Sequence, residues 1–245
     1  MEPFFDLAGH FAIDLPGARA VFTTRRGGYS RGPYRSLNLG VFTDDDPEAV
    51  AHNRAALRAD IAAPPLSFVR QVHGREVRRV AAGGTDGPNS NPLPKVDGQA
   101  TATPGVAAVA LVADCLPVAV AGDGAVAMLH AGWRGLAAGI IGEGVRAVRE
   151  LGAVGRLSAA IGPGAGACCY QAGDEVHEAF ADVADAHRGT HVDLKAVARQ
   201  RLEQAGVDDV ADLGLCTICS DPELLFSHRR DHGLTGRQAG VAWLT

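Results

Sequence analysis

The order of apolar runs and helical spacings predicts one mixed α/β domain. Three observations carry this. Residues 106–113 (V-A-A-V-A-L-V-A) form an unbroken apolar run, as expected of a strand covered on both faces. Two further apolar stretches, 118–121 and 125–129, flank Gly122-Asp123-Gly124 and read as a hairpin. Residues 136–151 then show helical spacing and lead to a short apolar strand at 157–161. No internal repeat or low-complexity linker divides the 245 residues, so a single catalytic domain, 1–245, is the simplest organisation.

Along the chain, residues 18–24 (A-R-A-V-F-T-T) read as a strand that runs into the basic turn Arg25-Arg26-Gly27-Gly28. Asp46-Pro47-Glu48 is a helix start, with a carboxylate cap, proline at the first helical position and acid in the first turn. That helix is expected to run to Asp60. Pro64-Pro65 stops it, and residues 66–72 form a short strand delivering His73. Residues 83–98 are rich in Gly, Pro and Asn and read as a surface loop and candidate lid. Helices are expected near 174–186 and 193–205, and a last strand near 210–215 precedes a basic C-terminal region.

The hairpin has a testable register. A two-residue loop at 122–123 sets Cys115 opposite His130, and a loop at 123–124 shifts the pairing by two. Side chains alternate with period two, so either register leaves Cys115 and His130 on one face. A three-residue loop or a bulge at Pro117 would break that relation.

Composition excludes several classes. Net charge is −5, from 23 Lys+Arg against 28 Asp+Glu, so no global basic field calls for nucleic acid. No apolar run reaches membrane-spanning length, and no signal-like segment opens the chain; a cytoplasmic protein without a membrane partner is expected. The five cysteines are odd in number and Cys168-Cys169 are adjacent, a poor start for a disulfide framework. Cys216-Thr217-Ile218-Cys219 is a C-x-x-C that wants a second ligand pair; His228 and His232 could complete a Cys2His2 set, but reduced, buried thiols are the simpler expectation.

Three stretches draw attention as chemistry: Gln71-Val72-His73-Gly74, Asp114-Cys115-Leu116-Pro117 and His130-Ala131-Gly132-Trp133-Arg134-Gly135. Imidazole and thiolate are ligands that zinc or copper favours, and three protein donors suit a catalytic metal with one open position. Taken singly, His73 and Cys115 fit satisfied or buried side chains as well as ligands. Jointly, metal binding by His73, Cys115 and His130 is the leading expectation. A metal-free dyad in which His130 activates Cys115 is the alternative, and an inert cluster is the third. Asp114 either orients a histidine ligand or caps a turn. Arginines recur in glycine-bearing turns (Arg25, Arg26, Arg134, Arg229, Arg230, Arg237) and suit phosphate or another anion, as does the helix start beside His130. The loop Gly162-Pro163-Gly164-Ala165-Gly166 lacks the Lys-Ser/Thr of a nucleotide P-loop.

Several blocks occur in order from about residue 20 to the C-terminus. They include Thr23-Thr24-Arg25-x-Gly27-Gly28, Ser36-Leu37-Asn38-Leu39-Gly40, Gln71-Val72-His73-Gly74, Ala113-Asp114-Cys115-Leu116-Pro117, His130-Ala131-Gly132-Trp133-Arg134-Gly135, Cys169-Tyr170 and Thr235-Gly236-Arg237. They resemble the YfiH-like family, long labelled multicopper polyphenol oxidase or laccase and now described as purine nucleoside phosphorylase. The resemblance implies an α/β domain akin to a cysteine-hydrolase-like toxin fold, with zinc (or copper) on His73, Cys115 and His130. It implies phosphorolysis of adenosine, inosine and methylthioadenosine, with an adenosine deaminase side activity, and leaves monomer and homodimer both open. Arg25, Asn38, Gln71 and Arg134 fall in pocket-lining motifs, and Arg229 and Arg237 complete the substrate-binding candidates. A copper laccase and a Cys–His amidase editing peptidoglycan precursors are the rival activities; the nine histidines, mostly scattered, argue against the former. Ser227-His228-Arg229-Arg230 departs from the family pattern by placing histidine where an aromatic is usual, and His232 adds a basic group before the glycine. Both put the substrate rim in question and leave the metal ligands unaffected.

Overall fold

A computed structural model of the chain describes residues 3–81 and 93–245. The chain opens with β1 (Phe5–Leu7), β2 (His10–Leu15) and β3 (Ala18–Phe22), an antiparallel meander. Helix α1 (Pro47–Asp60) follows, and the Asp46 side chain accepts from the Glu48 N–H as its cap. Next come β4 (Leu66–Ser67), β5 (Val77–Arg79), β6 (Gly98–Thr101), β7 (Ala107–Val112), β8 (Leu116–Asp123) and β9 (Ala125–Ala131). Helices α2 (Trp133–Ala138) and α3 (Ile140–Glu150) lead to β10 (Val154–Ile161) and α4 (Asp174–Ala179). The chain ends with the small pair β11 (His187–Arg188) and β12 (His191–Val192), then α5 (Leu194–Gln204), β13 (Asp209–Asp212) and β14 (Gln238–Leu244).

Two six-stranded sheets result, ordered β1-β2-β3-β14-β7-β4 and β13-β10-β8-β9-β6-β5. They pack face to face on a layer of small side chains, including Ala20, Ala108, Ala110, Ala119, Ala121 and Ala242, with Phe22 and Met128 filling what remains. This is where the alanine-rich composition goes: short side chains let the sheets approach closely. Helix α1 covers the outer face of the first sheet over Leu57, Leu66, Phe68 and Trp243. Helices α2, α3 and α5 cover the second over Leu129, Ile140, Val148 and Leu202. The architecture is mixed α/β, as expected, in four layers.

The hairpin takes the second of the two registers. Gly122 pairs with Ala125 and Pro117 with His130, so the loop is residues 123–124 and no bulge interrupts it. Cys115 lies just outside β8, on the same face as His130.

Other boundaries moved. The strand expected at 66–72 is only two residues long in β4, because Arg70 pairs instead with Lys95 and His73 adopts φ 60°. The helix expected at 136–151 starts earlier, at Trp133, and breaks at Gly139 (φ 95°). The helix expected at 174–186 stops at Ala179, and a 3-10 turn covers residues 184–186. Of the expected loop at 83–98, residues 83–92 lie outside the described residues, whereas Lys95 bridges to Arg70 and Gly98 starts β6. The basic C-terminal region contains an unforeseen strand, β14, which sits between β3 and β7.

Candidate active site

The site lies at one end of the sandwich, where both sheets deliver side chains. His73 follows β4, Cys115 occupies the crossing from β7 in one sheet to β8 in the other, and His130 stands near the end of β9. One donor atom from each of the three lies within 4.8 Å of the others. The Cys115 Sγ is 3.8 Å from His73 Nε2, and the two imidazole rings meet edge to face with centroids 4.8 Å apart. Gly132 makes this approach possible, because a Cβ there would stand 2.9 Å from Cys115 Sγ and 3.1 Å from a carbon of the His73 ring.

Asp97 organises the group, and no sequence signal had singled it out. Its buried carboxylate accepts from His130 Nδ1 at 2.9 Å, from the Val72 N–H at 3.1 Å, from the His73 N–H at 2.8 Å and from the Gly74 N–H at 2.7 Å. Three successive N–H groups around one anion hold the 72–74 turn, including the left-handed backbone of His73. The same carboxylate keeps the His130 proton on Nδ1 and leaves its Nε2 lone pair for the centre of the cluster. Burial alone would raise the Asp97 pKa, but the His130 hydrogen bond and the Gly74 N–H outweigh it and hold the carboxyl below its usual range. Asp114, by contrast, caps a turn: it accepts from Thr217 Oγ1 at 2.5 Å, Ser227 Oγ at 2.8 Å and the Arg229 N–H at 2.7 Å.

Charges within the cluster reinforce one another. Burial would push the Cys115 thiol up, yet the charge and hydrogen bond of His130, then those of His73, bring it down to about 6. Burial would pull His130 down, yet the Cys115 sulfur and Asp97 push it up to about 9. Each partner thus favours the charged form of the other, a lowered thiol at Cys115 and a raised imidazole at His130. The donor set also fits a tetrahedral zinc ion: two neutral imidazole nitrogens and one thiolate, with an outer carboxylate fixing the tautomer and one coordination position left for water or substrate.

A cavity of about 370 Å³ opens over the cluster. Its apolar lining includes Val69, Leu111, Val112 and the exposed ring of Phe42; Tyr170, His228, Arg229 and Arg237 supply the polar side. Gln71 reaches it as well, and its amide exchanges two hydrogen bonds with the main chain of Leu111, as a neighbouring strand would. The Arg229 guanidinium stacks 4.6 Å above the Tyr170 ring and donates to the Gln171 carbonyl. The Arg237 Nη1 donates to the carbonyls of Thr235 and Gly236, leaving Nε and Nη2 without a protein acceptor among the described residues. His228, the departure noted in the sequence, is therefore a cavity-lining residue.

The remaining candidates do not line this cavity. Arg25 donates to the carbonyls of Arg35, Pro222 and Pro33 and stacks on Phe226. Asn38 is fully buried; it donates to Thr43 and Asp45 and accepts from the N–H groups of Gly40 and Arg237, so it shapes the wall from behind. Arg134 is exposed and lies over the Trp133 ring. Cys216 and Cys219 do not join His228 or His232, and they are not isolated thiols either. Their sulfurs meet those of Cys168 and Cys169, the second pair that spacing alone could not supply.

Comparison with known proteins agrees with this picture. The chain is 41% identical over 239 residues to a purine nucleoside phosphorylase of Streptomyces coelicolor, covering 93% of this chain and 96% of that one. The crystal structure of YlmD from Geobacillus stearothermophilus superposes with a TM-score of 0.88 at 35% identity, covering 98% of both chains. The hypothetical protein YfiH of Bacillus licheniformis, also a crystal structure, gives 0.89 at 31% identity over 100% of both. With a sequence match that runs over residues 19–245, the protein belongs to the YfiH-like family, described as multi-copper polyphenol oxidoreductase laccase.

Proposed function

We propose that this protein is a zinc-dependent purine nucleoside phosphorylase acting on adenosine, inosine and methylthioadenosine. The observation that carries the reading is the His73–Cys115–His130 cluster beneath a cavity that pairs an apolar, aromatic lining with two arginines. The relative from Streptomyces, so named, supports it. A cavity of about 370 Å³ is the size that holds a small ligand such as a nucleoside.

Phosphorolysis needs phosphate held against C1′ of the ribose while the bond to the base nitrogen breaks and its electron pair leaves with the base. Arg237 and Arg229 offer guanidinium groups for the phosphate, and fixing it beside C1′ removes most of the entropic cost of a bimolecular encounter. Phe42 and Tyr170 offer ring faces for the purine. His73, Cys115 and His130 would hold the zinc, which supplies Lewis acidity and lowers the pKa of a water at its open position. Asp97 keeps His130 oriented for that role. Deamination of adenosine, with water replacing the amino group at C6 and ammonia leaving, is the side activity this reading includes.

The test is direct. Pure zinc-loaded protein mixed with adenosine and phosphate is expected to yield adenine and ribose-1-phosphate, with inosine as a by-product. No turnover with metal confirmed on the protein overturns the proposal.

One observation favours a second reading. The low pKa of Cys115 and its contact with His73 suit a thiolate nucleophile in an amidase. That enzyme would be killed by a thiol alkylator and untouched by a chelator, whereas the phosphorylase would lose activity to both. A multi-copper laccase is disfavoured, since the other possible metal cluster among the described residues contains no histidine.

A further inference from the structure

We propose that Cys168, Cys169, Cys216 and Cys219 form a second metal site, a tetrathiolate that takes zinc and fastens two loops behind the cavity. All four sulfurs lie within 4.8 Å of one another, and those of Cys168 and Cys219 are 3.5 Å apart. In a tetrahedral zinc tetrathiolate the Zn–S bonds are about 2.3 Å, which puts the sulfurs roughly 3.8 Å apart. Small side-chain rotations therefore complete the geometry. A tetrahedral set of four thiolates suits zinc or iron and disfavours magnesium or calcium.

The backbone is arranged for such a site. The Gly166 N–H donates to Cys216 Sγ at 3.3 Å. N–H donors of this kind offset the negative charge that four thiolates bring to one cation. The Ser220 N–H closes on the Cys216 carbonyl at 3.0 Å, and the Cys169 N–H on that of Gly166 at 3.0 Å, so each cysteine pair sits on a tight turn. Gly166 gives the second pair its room: a Cβ there would lie 3.1 Å from Cys216 Cβ and 3.3 Å from Cys168 Sγ. A bridge between Gly164 and Cys216 already aligns the two loops.

The position gives the site a purpose. Cys169 precedes Tyr170, which lines the cavity and carries Arg229 on its ring. Cys216 precedes Thr217, whose hydroxyl holds Asp114 beside Cys115. A cation joining the cysteine pairs braces both walls of the active site from outside it. This assignment does not depend on the proposed reaction.

The experiment removes the first site and counts what is left. Protein carrying Cys115→Ser, purified with zinc and desalted, is expected to retain one zinc per chain. Adding Cys219→Ser, or separately Cys168→Ser, should abolish that equivalent; both side chains are exposed, and circular dichroism checks that the fold survives. Cobalt exchanged into the Cys115→Ser protein should show the intense sulfur-to-metal absorption of a four-thiolate site. In the Cys115→Ser protein, a chromogenic thiol reagent should gain four reactive thiols after chelation. Any of three results overturns the proposal: no retained zinc in Cys115→Ser, zinc unchanged when Cys219 or Cys168 is also removed, or an unreduced mass two hydrogens short, marking a disulfide.

Discussion

Asp97 ties the two histidines together, since one carboxylate sets the backbone of His73 and the tautomer of His130. Replacing it with asparagine keeps the shape and removes the charge. Asp97→Asn is expected to weaken zinc binding by about 10–100-fold, read by competition with a chromogenic chelator. The same residue governs acid stability. Its folded pKa is lowered, so its contribution is complete above the unfolded value of about 3.9 and is lost as pH falls through the folded one. Denaturant midpoints of the Asp97→Asn variant should accordingly decline less than those of the parent below that pH. Cys115 offers a second pH readout. In chelated protein its alkylation rate should be half-maximal near pH 6, where an ordinary thiol needs about 8.5, and His130→Ala should move it back up. Gly132→Ala would press a methyl group against Cys115 Sγ and is expected to disrupt zinc binding while sparing the hairpin.

Among the elements, the sheet-to-sheet layer is the least forgiving. Ala119 points into it from β8, and a leucine there should lower stability by about 1–3 kcal/mol through overpacking, as urea titration would show. Phe22→Ala should cost about 3–5 kcal/mol by leaving a cavity in the same layer. The β8–β9 hairpin was readable in advance because strand periodicity and a Gly-Asp-Gly turn allow few registers, and both readable ones put Cys115 and His130 on one face. Short elements held by tertiary contacts were not readable in that way. β4 ends after two residues as Arg70 turns to pair with Lys95, and beyond it Gln71 reaches Leu111 with its side chain. β14 is hard to read from sequence because its apolar run follows ten residues dominated by Arg, His and Gly. Asp97, in Lys-Val-Asp-Gly at the end of a polar loop, carries no local mark of burial. The cysteine pairs meet only through a bridge between distant loops, which no spacing rule encodes.

For the molecule as a whole, the cluster joins the two halves of the sandwich, since His73 and Cys115 lie on crossings between the sheets, β4 to β5 and β7 to β8, and His130 stands on the second sheet. A cation bound there favours the native state by mass action. Free zinc at a hundred times its dissociation constant should stabilise the fold by about 2.7 kcal/mol, a rise of roughly 5–10 °C in melting temperature. Calorimetry should show a smaller rise with Cys115→Ser. The described residues contain no helix long and apolar enough to cross a membrane.

The central place of β14 bears on how a nascent chain matures. Its neighbours β3 and β7 are synthesised long before it, yet neither touches the other until it slots between them. A chain in which β14 has not yet paired would leave the margins of β3 and β7 open, and unpaired strand margins are places where another polypeptide can add. Joining β3 and β7 into one sheet therefore waits on residues 238–244.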